Sequence, residues 1–236
     1  MSRFRFYNAD CFSLMRDMEP NSVDLVLTDP PYAISQDSGY TNTKVAKYAT
    51  HTIDFGEWDK VEIDLNILAD HCYRILRKGG TAIIFYDLWK ITKLATAFEE
   101  AKFKQKRFIQ WIKTNPVPIN AQTNYLSNAR EIAVSFVKGG KPTFHSKYDN
   151  GNYIMPIHRE SRIHPTQKPL ALMEALISKH SNPGDVVFDP FAGAGTTGLA
   201  SVLLAREWIG VERDARYCEA GGRRIKEGTA QERLIA

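Results

Sequence analysis

The run Val186-Val187-Phe188-Asp189-Pro190-Phe191-Ala192-Gly193-Ala194-Gly195-Thr196-Thr197-Gly198 reads as a short buried strand, a loop of small residues and the start of a helix. Glycines in such a loop let the backbone approach a ligand closely and let the helix start pack against the sheet. Gly193, Gly195 and Gly198 also satisfy the dinucleotide pattern G-x-G-x-x-G. Glu212 ends the following strand, where a ribose-binding acid would stand. On this motif alone, a nicotinamide-dependent dehydrogenase is an open reading.

Asp189 weighs against that reading. It closes the strand where a dinucleotide would place its pyrophosphate, and like charges repel. A nucleoside carrying an ammonium and a sulfonium, as S-adenosylmethionine does, is attracted instead. Working outward, short apolar runs alternate with segments of helical period, the signature of βαβ units. Strands are expected at Phe4 to Asn8, Val23 to Thr28, Thr81 to Tyr86, Phe108 to Lys113, Ile132 to Val137, Asp185 to Phe188 and Trp208 to Glu212. A helix over Leu65 to Leu76 is expected to end on a left-handed glycine in Lys78-Gly79-Gly80. Another is expected from Pro169 to about His180, stopping before Asn182-Pro183-Gly184. The fold class is α/β: a Rossmann-like, doubly wound, mostly parallel sheet in one domain over residues 1–236, with a small inserted recognition region.

A second motif carries chemistry. Val23-Asp24-Leu25-Val26-Leu27-Thr28-Asp29-Pro30-Pro31-Tyr32 is an apolar strand that delivers a carboxylate, two prolines and an aromatic to its C-terminal end. Each proline fixes φ and lacks an N–H, so the turn is stiff and its carbonyls can face a ligand. An exocyclic base amine is a weak nucleophile because its lone pair is delocalised into the ring. Hydrogen bonds from its two hydrogens to Asp29 and to the Pro30 carbonyl would expose that lone pair. Tyr32 could stack on a base taken out of its helix. Asp10, Asp29, Asp189 and Glu212 all fall at expected strand ends, which share one edge in an open parallel sheet. Four carboxylates there suit a cationic cofactor.

Together, Asp29-Pro30-Pro31-Tyr32 and the later Phe188-Asp189-Pro190-Phe191-Ala192-Gly193-Ala194-Gly195 resemble the beta group of DNA amino-methyltransferases. His164-Pro165-Thr166-Gln167-Lys168-Pro169 matches the segment that precedes that family's cofactor strand, and Asn8-Ala9-Asp10-Cys11 looks like its adenine-contacting motif. The resemblance implies a site-specific enzyme of the restriction–modification kind. It would transfer methyl from S-adenosyl-L-methionine to the exocyclic amine of a flipped base in double-stranded DNA. Asp29, Pro30, Pro31 and Tyr32 would be catalytic. Asp10, Asp29, Thr166, Lys168, Asp189, Phe191, Ala192, Gly193, Gly195, Thr196, Thr197 and Glu212 would hold the cofactor. Aspartate rather than serine at position 29 leans by resemblance toward adenine N6, with cytosine N4 and structured RNA as open alternatives. A homodimer is a further implication.

Charge is unevenly spread. From Ala101 to Lys168 twelve Lys or Arg stand against three acids, a local charge of +9, whereas the whole chain is +4 and the remainder therefore −5. Phe103, Phe108, Trp111, Tyr125, Phe136, Phe144, Tyr148 and Tyr153 are interleaved there, so phosphates and unpaired bases are expected partners, with Lys141 and Lys147 among the phosphate contacts. Residues 116–163 are the expected target-recognition region and 33–58 a mobile loop that closes over the base. Cys11, Cys72 and Cys218 form no disulfide framework, and the histidines lack metal spacing, so no metal is expected. No leader and no bilayer-length apolar run is visible, which points to a soluble cytoplasmic protein without a membrane partner.

Overall fold

A computed structural model describes residues 4–31, 63–116, 129–157 and 167–233. Expectations for Tyr32, Thr166 and the loop 33–58 lie outside these residues, as do those for 117–128 and 158–163. In chain order the elements are β1 (Phe4–Asn8), α1 (Cys11–Asp17), β2 (Val23–Thr28), α2 (Leu65–Ile75) and β3 (Leu76–Tyr86). A short 3-10 turn (Leu88–Lys90) leads to α3 (Ile91–Glu100), β4 (Lys104–Lys113), β5 (Arg130–Val137) and β6 (Asn152–Met155). The chain continues through α4 (Leu170–His180), β7 (Val186–Asp189), α5 (Thr196–Leu203), β8 (Glu207–Glu212) and α6 (Ala215–Arg233).

The strands form a single sheet in the order β1-β8-β7-β2-β3-β5-β4-β6. All neighbours pair in parallel except those of β5, which runs against both β3 and β4. The central strands β2 and β7 bury the apolar residues Val23, Leu25, Val26, Leu27, Val187 and Phe188, as strands covered on both faces must. One core gathers Met15, Leu68, Cys72, Leu94 and Phe98 from α1, α2 and α3. The other gathers Leu172, Leu176, Leu199 and Ile225 from α4, α5 and α6. This is the doubly wound arrangement that the alternation of elements implied. From β2 the chain winds outward to β3, whereas from β7 it winds the other way to β8, so β2 and β7 flank the switch point where such sheets open a crevice beyond their strand ends.

Two details depart from the sequence expectation. The helix expected to run to Leu76 and cap on glycine stops at Ile75, and Leu76 is already extended at φ −66°, ψ 139°. Gly79 does take a left-handed φ of +79°, but inside β3, where the pairing with β2 shifts register. A Cβ at Gly79 would stand 2.5 Å from the Lys141 carbonyl oxygen, so the position is held for glycine by a close backbone approach. The second departure is β6, a four-residue strand in a stretch where no strand is expected from the sequence.

Trp208 fills the space over Gly210, two residues on along the same face of β8. A Cβ added at Gly210 would lie 2.1 Å from two atoms of the indole ring, which is itself fully buried. Gly210→Ala is expected to lower unfolding stability by about 1–3 kcal/mol through overpacking. The urea midpoint measures this, and an unchanged midpoint would mean that Trp208 can move aside.

Candidate active site

At the switch point, Asp189 ends β7 and Asp29 follows directly on β2. The Asp189 side chain is buried and accepts a hydrogen bond from the Thr28 hydroxyl (2.6 Å) and one from the Phe191 N–H (3.2 Å), both on Oδ1. Thr197, at the start of α5, also hydrogen-bonds to it. Burial pushes the Asp189 carboxyl up to about 6 against these hydrogen bonds, and the neighbouring Asp29 charge adds to the push. Pro30 is buried and Pro31 half-buried, so the turn after Asp29 is anchored as well as stiff.

On the other side of β7, Glu212 ends β8. Its Oε2 accepts the Gly193 N–H at 2.9 Å and its Oε1 the Asp214 N–H at 2.8 Å. Burial raises this carboxyl above its ordinary value, while those backbone donors oppose the shift. Gly193 and Gly195 both take left-handed φ, +49° and +69°, so the tight loop over the strand ends requires glycine. A Cβ at Gly193 would meet nothing within 4 Å, so the loop borders open space beside Glu212. Ala192 is buried, its N–H bonded to the Val211 carbonyl at 2.9 Å, and Phe191 is half-buried. Asp10 stands after β1 on the same edge. Its Oδ1 caps α1 by accepting the Ser13 N–H at 2.9 Å.

Three sequence candidates have partners that no motif announced. Lys168 is only 7% exposed, and its ammonium pairs with Asp29 and, at 2.9 Å, with Glu131. Lys113 pairs with the other oxygen of Glu131 at 2.7 Å. The Thr196 hydroxyl accepts a hydrogen bond from Arg224 of α6 at 2.9 Å, which turns it toward that helix. Thr197 is equally buried and faces Asp189 and Met173. Thr28, Glu131, Lys113 and Arg224 were not singled out as site residues. Only Thr28 sat inside a motif; the others come from distant strands and helices.

Comparison with known proteins now bears on this edge. The DNA methylase family model matches residues 23–223, from the first residue of β2 into α6. The chain belongs to the DNA methylase family. This DNA methylase is similar to the Type II methyltransferase M2.MboI of Moraxella bovis, 30% identical over 247 residues that cover 96% of this chain and 89% of the relative. It is similar also to the Type II methyltransferase M2.DpnII of Streptococcus pneumoniae, 29% identical, with 93% of this chain and 88% of the relative covered. Among solved structures, the M1.HpyAVI–SAM complex matches with a TM-score of 0.75 at 29% identity, covering 94% of this chain and 98% of that one. The cytosine-N4-specific PvuII DNA methyltransferase matches with a TM-score of 0.75 at 19% identity over 98% of this chain and 91% of that one, which shows the shared fold. The chain is thus an S-adenosylmethionine-dependent DNA methyltransferase, and the dehydrogenase alternative falls.

The basic segment does not lie on one edge of the DNA methylase. Lys113 and Arg130 stand at the ends of β4 and β5 nearest Asp29. Lys138 to Lys141 turn beside Gly79 at the opposite edge, and His145 joins the C-terminal end of α4 there, its N–H bonded to the Lys179 carbonyl at 2.9 Å. The basic charge counted over this segment therefore divides between two edges, with Lys141 away from Asp29. Among the described residues, no helix is long and apolar enough to cross a membrane.

Proposed function

We propose that this DNA methyltransferase modifies adenine N6 in double-stranded DNA, and that Asp29 is the acceptor that activates the amine. The observation that carries the reading is the side-by-side placement of Asp29 and Asp189 at the switch point, linked through Thr28. One strand end presents a carboxylate and a rigid Pro-Pro turn to the target amine, and the next presents a buried carboxylate to a cationic cofactor. The residues fit S-adenosylmethionine. Asp189 and Glu212 are both raised by burial, so a cation is the ligand that would stabilise their charged forms. Asp189 and the Phe191–Gly195 loop would hold its methionine part and Glu212 its ribose. Bound there, the cofactor supplies a methyl group already activated on a sulfonium.

The protein's own contribution is positional and electrostatic. Asp29 and the Pro30 carbonyl accept the two amine hydrogens and hold the nitrogen in one orientation, an arrangement that costs no reorganisation during reaction. Tyr32 is assigned as the stacking face and residues 116–163 as the target reader. A homodimer in the cytoplasm completes the reading. Cytosine N4 is the second candidate, because the same pair of acceptors would polarise that amine equally. Digestion of DNA methylated with labelled cofactor, followed by nucleoside chromatography, tests the choice. Label in N6-methyladenine is expected, and label in N4-methylcytosine would overturn the assignment.

The division of basic charge makes a second test. Arg130 is exposed beside the site, whereas Lys141 lies at the far edge. Arg130→Ala should lower DNA affinity and reduce the slope of log affinity against log salt by about 1, as for one lost phosphate contact. Lys141→Ala should change neither. Equal effects of the two substitutions would mean that DNA also reaches the far edge.

A further inference from the structure

Lys168 crosses the end of β3. Its ammonium lies 5.1 Å from the centroid of the Phe85 ring, with Asp29 of the β2 end and Glu131 of the β5 start as its two anionic partners. Glu131 in turn is held by Lys113 from β4, whose ammonium also lies over Trp111 at 5.2 Å. Four alternating charges therefore run Asp29, Lys168, Glu131, Lys113 across four strands, with Lys168 buried and Glu131 kept ionised by its two lysines against its own desolvation. An ammonium buried between carboxylates and an aromatic face has little room to reorient, so it fixes the rotamer of whatever it binds.

We propose that Glu131 is a positioning residue for methyl transfer: it fixes the Lys168 ammonium, and through it the Asp29 carboxylate. The inference rests on the reading of Asp29 as the amine's acceptor and adds residues that the motifs do not contain. Lys168, assigned from the sequence to the cofactor, also pairs with the carboxylate proposed as catalytic. Among the described residues, the charged groups that face Asp29 include Lys168 from the segment before α4, Asp189 from β7 and, behind Lys168, Glu131 from β5 and Lys113 from β4.

The two members of the relay should act oppositely on Asp29. Glu131→Gln removes a nearby anion and leaves Lys168 wholly to Asp29, whereas Lys168→Met removes the cation paired with Asp29. The acid limb of the single-turnover pH–rate profile should move to lower pH in Glu131→Gln and to higher pH in Lys168→Met. At pH 8 the Glu131→Gln rate should fall at least tenfold, with cofactor affinity by calorimetry and DNA affinity each within threefold of wild type, and Glu131→Asp should recover part of the rate. Carboxyl carbon chemical shifts of Asp29, titrated without cofactor or DNA, should show the same opposite displacements. Wild-type rate in Glu131→Gln, acid limbs that move together, or a loss tracked by cofactor affinity and melting temperature would each overturn the proposal. An inactive Asp29→Ala beside a fully active Glu131→Gln would remove the relay and keep the acceptor, whereas an active Asp29→Ala would remove the acceptor itself.

Discussion

Asp29→Ala is expected to fold normally and to transfer methyl about 10²- to 10³-fold more slowly, the scale of losing one preorganised polar group aimed at the reacting centre. The carboxylate is one-fifth exposed at the lip of the crevice, and the buried Pro30 keeps the turn in place without it. Lys168 keeps Glu131 as a partner in the variant, so no buried cation is stranded. Single-turnover methylation at saturating DNA and cofactor isolates this effect from binding, because the interaction proposed for Asp29 is made with the amine. A well-folded Asp29→Ala protein that transfers methyl at the wild-type rate would place the chemistry elsewhere.

The second large effect has two opposite signs. Asp189→Asn keeps an oxygen for the Thr28 and Phe191 donors but removes a buried charge. In the folded protein burial pushes this carboxyl up to about 6 from its ordinary 3.8, so between those values the native state holds a proton that the unfolded chain has released. That contribution is present at low pH and is lost as the pH rises from about 4 to 6. Above that window the ionised Asp189 costs the cofactor-free protein on the order of 3 kcal/mol. Asp189→Asn should therefore raise the melting temperature of the free protein at pH 7.5. It should also weaken cofactor binding by about 1–3 kcal/mol, the scale of a hydrogen bond to a charged group. Wild-type cofactor affinity should fall below pH 6 and the variant's should not. Calorimetry between pH 5 and 8 decides the point; matching pH dependence in both proteins would mean that Asp189 does not meet the cofactor's charge.

Much of the fold could be read from the chain because its central strands are buried on both faces and announce themselves as apolar runs. Leu25, Val26 and Leu27 of β2 and Val187 and Phe188 of β7 are such runs. β6 gave no such signal: at the sheet edge it buries Tyr153 alone among its four residues. The start of β3 was hidden for a different reason, since Gly79 and Gly80 look the same to sequence reasoning whether they end a helix or bend a strand. Asp29 and Asp189 were legible because each lies within a contiguous motif. Glu131 was not, because its meaning depends on Lys168 and Lys113, which only the sheet order brings to it. In the basic segment Glu131 counted only as a minor offset to the charge.

The reversed direction of β5 has a consequence for how such a protein can diversify. Because β5 runs against β4, the chain leaves β4 and enters β5 at the same edge as Asp29, and the Lys113 N–H is bonded to the Ala129 carbonyl at 2.8 Å. Both ends of the intervening chain are pinned to one place. Its length can then change without displacing a strand, and doubling such a connection costs only about 0.6 kcal/mol in closure entropy. On the proposed reading of that span as the target reader, new DNA words can be tried there while the machinery that moves the methyl group stays as it is.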